Sequence, residues 1–173
     1  MLDRTTLTEI IEKEDGVNWW KPELFAKHIR PQLPVELEVV ASPPEEKGNY
    51  NCFAFAFGLE KDTYFLGGNN PIQEEFIRYL LEKRVLRQKE QSTPRDLVFY
   101  EDNENHITHG GFLEEGNKVL SKWMWGPIIR HDLWDVPSSF GNKVFYTNRP
   151  PANEVKKEYE AYKTSGVEIR SIA

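Results

Sequence analysis

At Ser92-Thr93-Pro94 the periodicity of the chain changes. Before this point apolar residues mostly recur every three to four positions, as along one face of a helix. After it they alternate, as in strands with one buried face. Helices first and strands later point to an α+β fold, with N-terminal helices packed on a C-terminal antiparallel sheet, rather than to alternating βαβ units.

The helical part reads in three pieces. Thr6 to Glu14 carries Leu7, Ile10 and Ile11 on one stripe, with Gly16 as a stop. Pro22 opens a second helix running to Arg30 and ended by Pro31 and Pro34. A short strand is expected at Val35 to Ala41, broken by Ser42-Pro43-Pro44. The longest helix is expected from Pro71 to Lys89, with Asn70 as N-cap, Ile72, Phe76, Tyr79, Leu80 and Val85 as its apolar face, and Glu74 and Glu75 at the positive end of its dipole.

The alternating part predicts strands at Asp96–Tyr100, Ile107–Leu113, Lys118–Trp123 and Lys143–Thr147. Short polar turns at Asp102–Asn105 and Glu114–Asn117 make the first three an antiparallel meander. A polar amphipathic helix, Pro151–Tyr162, follows. No repeat, low-complexity stretch or linker interrupts the chain, so its 173 residues read as one domain, 1–173.

A chain that is 39% hydrophobic and 13% aromatic has the makings of a core. Its formal net charge of −6, with scattered basic residues, argues against nucleic acid and anionic membrane as partners. The densest basic run, Lys83 to Lys89, sits among Glu82 and Glu90 and reads as a solvated face. No stretch approaches the ~20 apolar residues of a membrane span, and Met1–Thr6 does not open a signal peptide. A cytoplasmic protein is expected, or one exported by a signal-peptide-independent route. With a single cysteine, Cys52, no intramolecular disulfide is expected.

That cysteine lies in "GNYNCFAFAFG", residues 48–58. Taken alone, a free cysteine among phenylalanines is ordinary core packing. The polar turn in front of it suggests otherwise. Asn51 suits an N-cap, Phe53 to Phe57 are apolar all round as in an enclosed helix, and Gly58 ends it. A cysteine at the start of such a helix gains thiolate character, and nearby backbone amides suit an oxyanion.

A cysteine nucleophile needs a base, usually histidine, oriented by a third polar group. Of His28, His106, His109 and His131, His109 lies inside a predicted strand. Strict alternation puts it on one face with Ile107, Gly111 and Leu113, with His106 the second choice as base. Gly110 and Gly111 leave room for close approach by another backbone or a substrate, and Ser121 is the expected cross-strand neighbour of His109. His28 and His131 read as surface or capping residues. A zinc site from His106 and His109 with Asp102 or Glu104 is disfavoured, because i and i+3 on a strand face opposite ways. No metal or cofactor is expected. Trp123, Trp125 and Trp134 read as core or cleft wall, and Gly67-Gly68 with Asn69-Asn70 as a turn.

"NCFAFAFG" followed by "PRDLVFYEDNENHITHGGFLEEGNKVLSKW" resembles the NlpC/P60 and CHAP group of papain-like cysteine hydrolases, over about residues 48–123. The resemblance implies a papain-like fold, Cys52 as nucleophile, Asp96-Leu97-Val98 as the strand signature, His109 as general base and Ser121 at or near the orienting position. The sequence departs from the family pattern where Arg95 replaces the glycine before the aspartate, where "HGGF" replaces "HVGI", and where serine replaces a stronger orienter. The activity implied is amide hydrolysis by a peptidase or amidase, on peptidoglycan peptides or, as an effector- or toxin-type amidase or deamidase, on another amide; a protein partner, either an immunity protein or a target, would fit that role. The alternative is a catalytically inactive domain of the same fold used for binding or scaffolding.

Overall fold

A computed structural model of the chain describes residues 2–12 and 21–172, with side chains through residue 165. Helix α1 (Arg4–Ile11) starts earlier than its apolar stripe suggests, because Asp3 caps it, accepting from the Thr5 amide and the Thr6 hydroxyl. Leu7, Ile10 and Ile11 are buried as expected, whereas Glu14 and Gly16 lie outside the described residues. Helix α2 (Pro22–Leu24) opens on Pro22 and continues as a π-helical turn, Phe25–Ile29, and a 3₁₀ turn, Arg30–Gln32. Pro31 therefore does not stop the helical path; it sits at the start of the 3₁₀ turn, where a missing N–H costs nothing. Strand β1 (Glu38–Ala41) is shorter than the Val35–Ala41 expected, because a turn bond from Leu37 N–H to the Pro34 carbonyl occupies its first residues.

Helix α3 (Cys52–Ala56) forms where the sequence places it. Asn51 Oδ1 accepts from the Ala54 amide at 3.0 Å. At the other end Gly58, at φ 75°, lets its own N–H reach the Phe55 carbonyl and the Leu59 N–H reach the Ala54 carbonyl, a Schellman closure.

Helix α4 (Glu74–Glu82) corrects the expected Pro71–Lys89 at both ends. Asn51 Nδ2 donates to the Ile72 carbonyl and Asn70 Nδ2 to the Tyr64 carbonyl, so this stretch is tied to loops and residues 71–73 stay out of the helix. The C-terminus closes through Arg84 at φ 61°, with Val85 N–H bonded to the Leu80 carbonyl. An arginine thus does what glycine usually does, which hides the stop from a sequence reading. Gln88–Lys89, expected in that helix, is instead strand β2.

Strands β3 (Leu97–Glu101), β4 (Ile107–Leu113), β5 (Val119–Lys122) and β7 (Lys143–Thr147) fall where alternation puts them, within a residue or two. Strand β6 (Ile128–His131) was not anticipated. Helix α5 (Ala152–Ile172) runs beyond the expected Pro151–Tyr162. Every strand pairing is antiparallel, and the seven strands run in the order β1-β6-β5-β4-β3-β7-β2, with the β3-β4-β5 meander at the centre.

The sheet is covered on both faces. On the first, Leu97, Phe99 and Ile107 pack against Phe53 and Phe57 of α3, Phe76, Ile77 and Leu80 of α4, and Val155 and Tyr159 of α5. On the second, Val98, Tyr100, Leu113, Val119 and Ile129 meet Leu7, Ile10 and Ile11 of α1, with Phe25, Ile29, Leu37 and Phe140. Thirteen per cent of the chain is aromatic, and much of that goes into these two cores, where ring pairs such as Phe76 and Tyr159 meet edge-on at 4.9 Å. A central strand buried on both faces makes the direction of each side chain decisive for any site built on it.

Candidate functional site

Helix α3 lies on the first face of the sheet, across β4 and β5. Gly110 permits this approach: a Cβ there would sit 3.2 Å from Phe53 Cδ1 and 3.1 Å from Phe99 Cδ1. The Cys52 thiol faces β4, near enough to the backbone N–H groups of Gly110, Phe53 and Cys52 itself for them to favour its charged form. Burial pushes the thiol up to about 12, against the opposing pull of those three amides and of Lys122. The charged side chain that acts on it is a lysine, not a histidine.

Lys122 is the last residue of β5, and alternation turns it to the α3 side with Leu120 while Val119 and Ser121 face away. It is fully buried. Its ammonium donates to the Gly126 carbonyl and lies 4.5 Å from the centre of the Tyr50 ring. Burial lowers Lys122 to about 7, the Cys52 charge pulling the other way. Fully buried lysines are rare, and one whose pKa burial lowers toward neutrality is a candidate for chemistry.

His109 is placed elsewhere. A bulge between Tyr100 and Glu101 makes Tyr100 pair with His109 but Glu101 with Ile107, leaving Thr108 as the extra residue. Ile107 therefore joins the first core while His109 faces the second, so the two do not share the face that strict alternation assigned them. The imidazole is fully buried, stacked on Phe140 with ring centres 4.1 Å apart and 5.4 Å from Tyr100. Neither of its nitrogens has a hydrogen-bond partner among the described residues. Burial first, then His131, holds it well below the usual histidine range. The sheet stands between His109 and Cys52, which corrects the expectation of a Cys52–His109 pair.

Ser121 is also on the second face. It lies against Gly111, where an added Cβ would come within 2.8 Å of Ser121 Cβ, and its hydroxyl bonds His131 Nε2 at 2.7 Å rather than His109. His131, expected at the surface, is fully buried in β6, with Nδ1 donating to the Asp132 carbonyl at 2.7 Å. That bond fixes the proton on Nδ1, so the Ser121 hydroxyl donates to Nε2. Burial takes His131 down to about 4. The structure thus brings Ser121 together with His131, and neither with Cys52.

The remaining candidates have structural partners. His106 is exposed, between Glu74 at 3.0 Å and Glu104 at 3.4 Å, and the Glu74 bond raises its pKa. It shares no site with the buried His109. Asp96 Oδ2 accepts from Lys89 Nζ at 2.6 Å and from the Thr93 amide at 2.8 Å, tying β2 to the start of β3. Arg95 has φ 76°, the conformation a glycine before the aspartate takes without strain. Trp123 is core, with Nε1 lacking a partner among the described residues, and Trp134 lies under the Arg4 guanidinium at 5.1 Å. Trp125 lines an open groove of about 260 Å³ with Glu46, Asn49, Gly67 and Gly68.

The comparison that bears on these positions is with protein families. The model of a domain of unknown function, DUF7689, matches residues 40–148, more than half of the chain. The chain belongs to the DUF7689 family. No curated protein and no solved structure matches it. The DUF7689 segment contains Cys52, Lys122, Tyr50 and the groove, and equally His109, Ser121 and His131. Among the described residues no group of three or more His, Cys, Asp or Glu side chains is placed to hold a metal ion, and no helix is long and apolar enough to cross a membrane. Sequence reasoning missed Lys122 and His131. For Lys122 the signal was available: alternation in the predicted strand Lys118–Trp123 puts it opposite Ser121, on the same face as Leu120. His131 carried none, because β6 is four residues long and follows a Gly-Pro.

Proposed function

We propose that this DUF7689 protein is a thiol-dependent amide hydrolase in which Lys122, not histidine, serves Cys52. The observation that carries the reading is the burial, on one face of the sheet, of Cys52 at the head of α3 and of the Lys122 ammonium, 4.5 Å from the ring of Tyr50, with Lys122 lowered by that burial to about 7. Neutral Lys122 takes the thiol proton as sulfur attacks an amide carbonyl. The N–H groups of Gly110 and Phe53 face the charge that develops. The ammonium then gives its proton to the departing amine, and water releases the acyl group from sulfur. The papain-like architecture belongs to the same proposal; the order of a cysteine-led helix followed by the β3-β4-β5 meander supports it. The substrate class is a peptide or another amide.

Iodoacetamide labelling against pH tests the pairing. Labelling of Cys52 is expected to rise with an inflection near pH 7, where Lys122 loses its proton, and to lose that inflection in Lys122→Met. Labelling that climbs only above the free-thiol pKa of ~8.5, equally in both proteins, would sink the hydrolase. A second reading is a binding or scaffold domain without catalysis. It draws on the 5% exposure of Cys52 and on the placement of His109 across the sheet, and it is the reading left standing by that negative result.

A further inference from the structure

The loop after β5 closes over Lys122. Its carbonyls are held from below: Asn49 Nδ2 donates to Trp125 O at 2.7 Å, and Lys122 Nζ to Gly126 O. Asn49 is itself buried, with Oδ1 accepting from the Tyr50 amide at 2.8 Å, and its carbonyl accepts from Gly67 N–H at 2.8 Å. Three segments are thereby locked around the groove lined by Glu46, Asn49, Gly67, Gly68 and Trp125. Its wall opposite the indole is bare backbone. Gly67 and Gly68 both have positive φ, and a Cβ on Gly68 would point at Trp125 Cη2 from 4.0 Å. Met124, at φ 57° and 46% exposed, holds the strained backbone that presents Trp125.

An indole and a glutamate lining one open groove form a pair suited to a cation. The ring quadrupole attracts a positive group, and Glu46 supplies a full negative charge with no ion-pair partner among the described residues. We infer that this groove takes the cationic end of the amide substrate, an ammonium or guanidinium group stacked on Trp125 and paired with Glu46. The inference rests on reading Cys52 and Lys122 as the hydrolytic pair, and it assigns that pair a substrate class, amides carrying a lysine- or arginine-like side chain. It makes Glu46 and Trp125 specificity-determining residues.

The test is binding, independent of turnover. The Trp125 indole N–H resonance, assigned through Trp125→Phe, is followed while the full chain is titrated with Nα-acetyl-lysinamide and with its uncharged analogue Nα-acetyl-norleucinamide. The lysine probe is expected to shift that resonance saturably and to bind about tenfold more tightly than the norleucine probe. Glu46→Gln is expected to erase the difference while leaving the buried Trp123 resonance in place. Equal affinity for the two probes, an unchanged preference in Glu46→Gln, or no binding of either overturns the inference. Cys52 labelling separates the two claims. A pH-dependent thiol without charge-selective binding removes the subsite alone, and charge-selective binding without a Lys122-dependent thiol removes the hydrolase and keeps the subsite.

Discussion

Replacing His109 with phenylalanine should stabilise this protein, and more so in acid. The imidazole is fully buried, lies flat on Phe140 at 4.1 Å, and meets no hydrogen-bond partner among the described residues at either nitrogen. A buried donor without an acceptor costs about 1–3 kcal/mol. Phenylalanine keeps the stack and removes the unmet polar atoms, while its extra volume returns about 1 kcal/mol as crowding. The expected net gain is about 0–2 kcal/mol near neutral pH, a rise of up to several degrees in Tm for a chain of this size. Protonation adds to it. Burial and His131 hold the folded His109 well below its unfolded value, so the unfolded chain takes up a proton that the folded one refuses. Stability from this group is complete above the unfolded pKa of ~6.5 and is lost as pH falls below it. His131 acts the same way; its drop from 6.5 to about 4 amounts to about 3 kcal/mol lost by pH 4. His106, raised by Glu74, opposes them from the surface. Urea unfolding of both proteins at about pH 7 and about pH 5 measures the difference. The gap between variant and wild type should widen on acidification by at most about 1.4 kcal/mol per pH unit. A variant less stable than wild type at neutral pH, or a gap that does not widen, would refute the claim that His109 is an unpartnered core residue.

Three further substitutions probe the same sheet. Ser121→Ala strips His131 Nε2 of its 2.7 Å partner and should cost about 1–3 kcal/mol in urea unfolding while leaving Cys52 labelling unchanged; slower labelling would restore the orienting role that the sequence suggested. Gly111→Ala puts a Cβ 2.7 Å from the Leu120 carbonyl oxygen, so β4 and β5 must part, at a cost of about 1–3 kcal/mol by the same measurement. Arg4→Met removes bonds from Nε to Val136 O at 3.0 Å and from Nη2 to Pro137 O at 3.2 Å. Amide exchange across residues 136–141 should then quicken while that of β3 and β4 holds, the signature of a local opening.

What could be read from the sequence was whatever neighbours in the chain decide. Helix α3 was legible because its cap, Asn51, and its closing Gly58 lie at its own ends. Strand β4 was legible because alternation, with the polar turns 102–105 and 114–117 on its two sides, sets its limits. Helix α4 was overdrawn because Asn51, far away in the chain, claims the Ile72 carbonyl, and because an arginine supplies the left-handed stop. The expected pair failed on the choice of face: His109 and Gly110 point to opposite sides of β4, and α3 with Cys52 covers the Gly110 side. Thr108, extra in the bulge, decouples the facing of Ile107 from that of His109, and period-two reasoning has no means of counting an extra residue. The room that the sequence assigned to Gly110 for another backbone is taken by α3, whose Phe53 a Cβ there would meet at 3.2 Å. Lys122 went unread because a charged side chain is expected in water, and only the depth of the β5 position turns it inward.

The family match covers residues 40–148, yet much of the roof over the second face of the sheet is built from outside it. Leu7, Ile10, Ile11, Phe25, Ile29 and Leu37 on one face, and Val155 and Tyr159 on the other, all belong to flanking segments. The matched stretch therefore supplies the chemistry-bearing residues and the α3 and α4 cover of one face, and borrows much of the cover of the other. A fragment cut at the family limits would present Val98, Tyr100 and Ile129 to water, which makes the full chain the sensible unit for experiment.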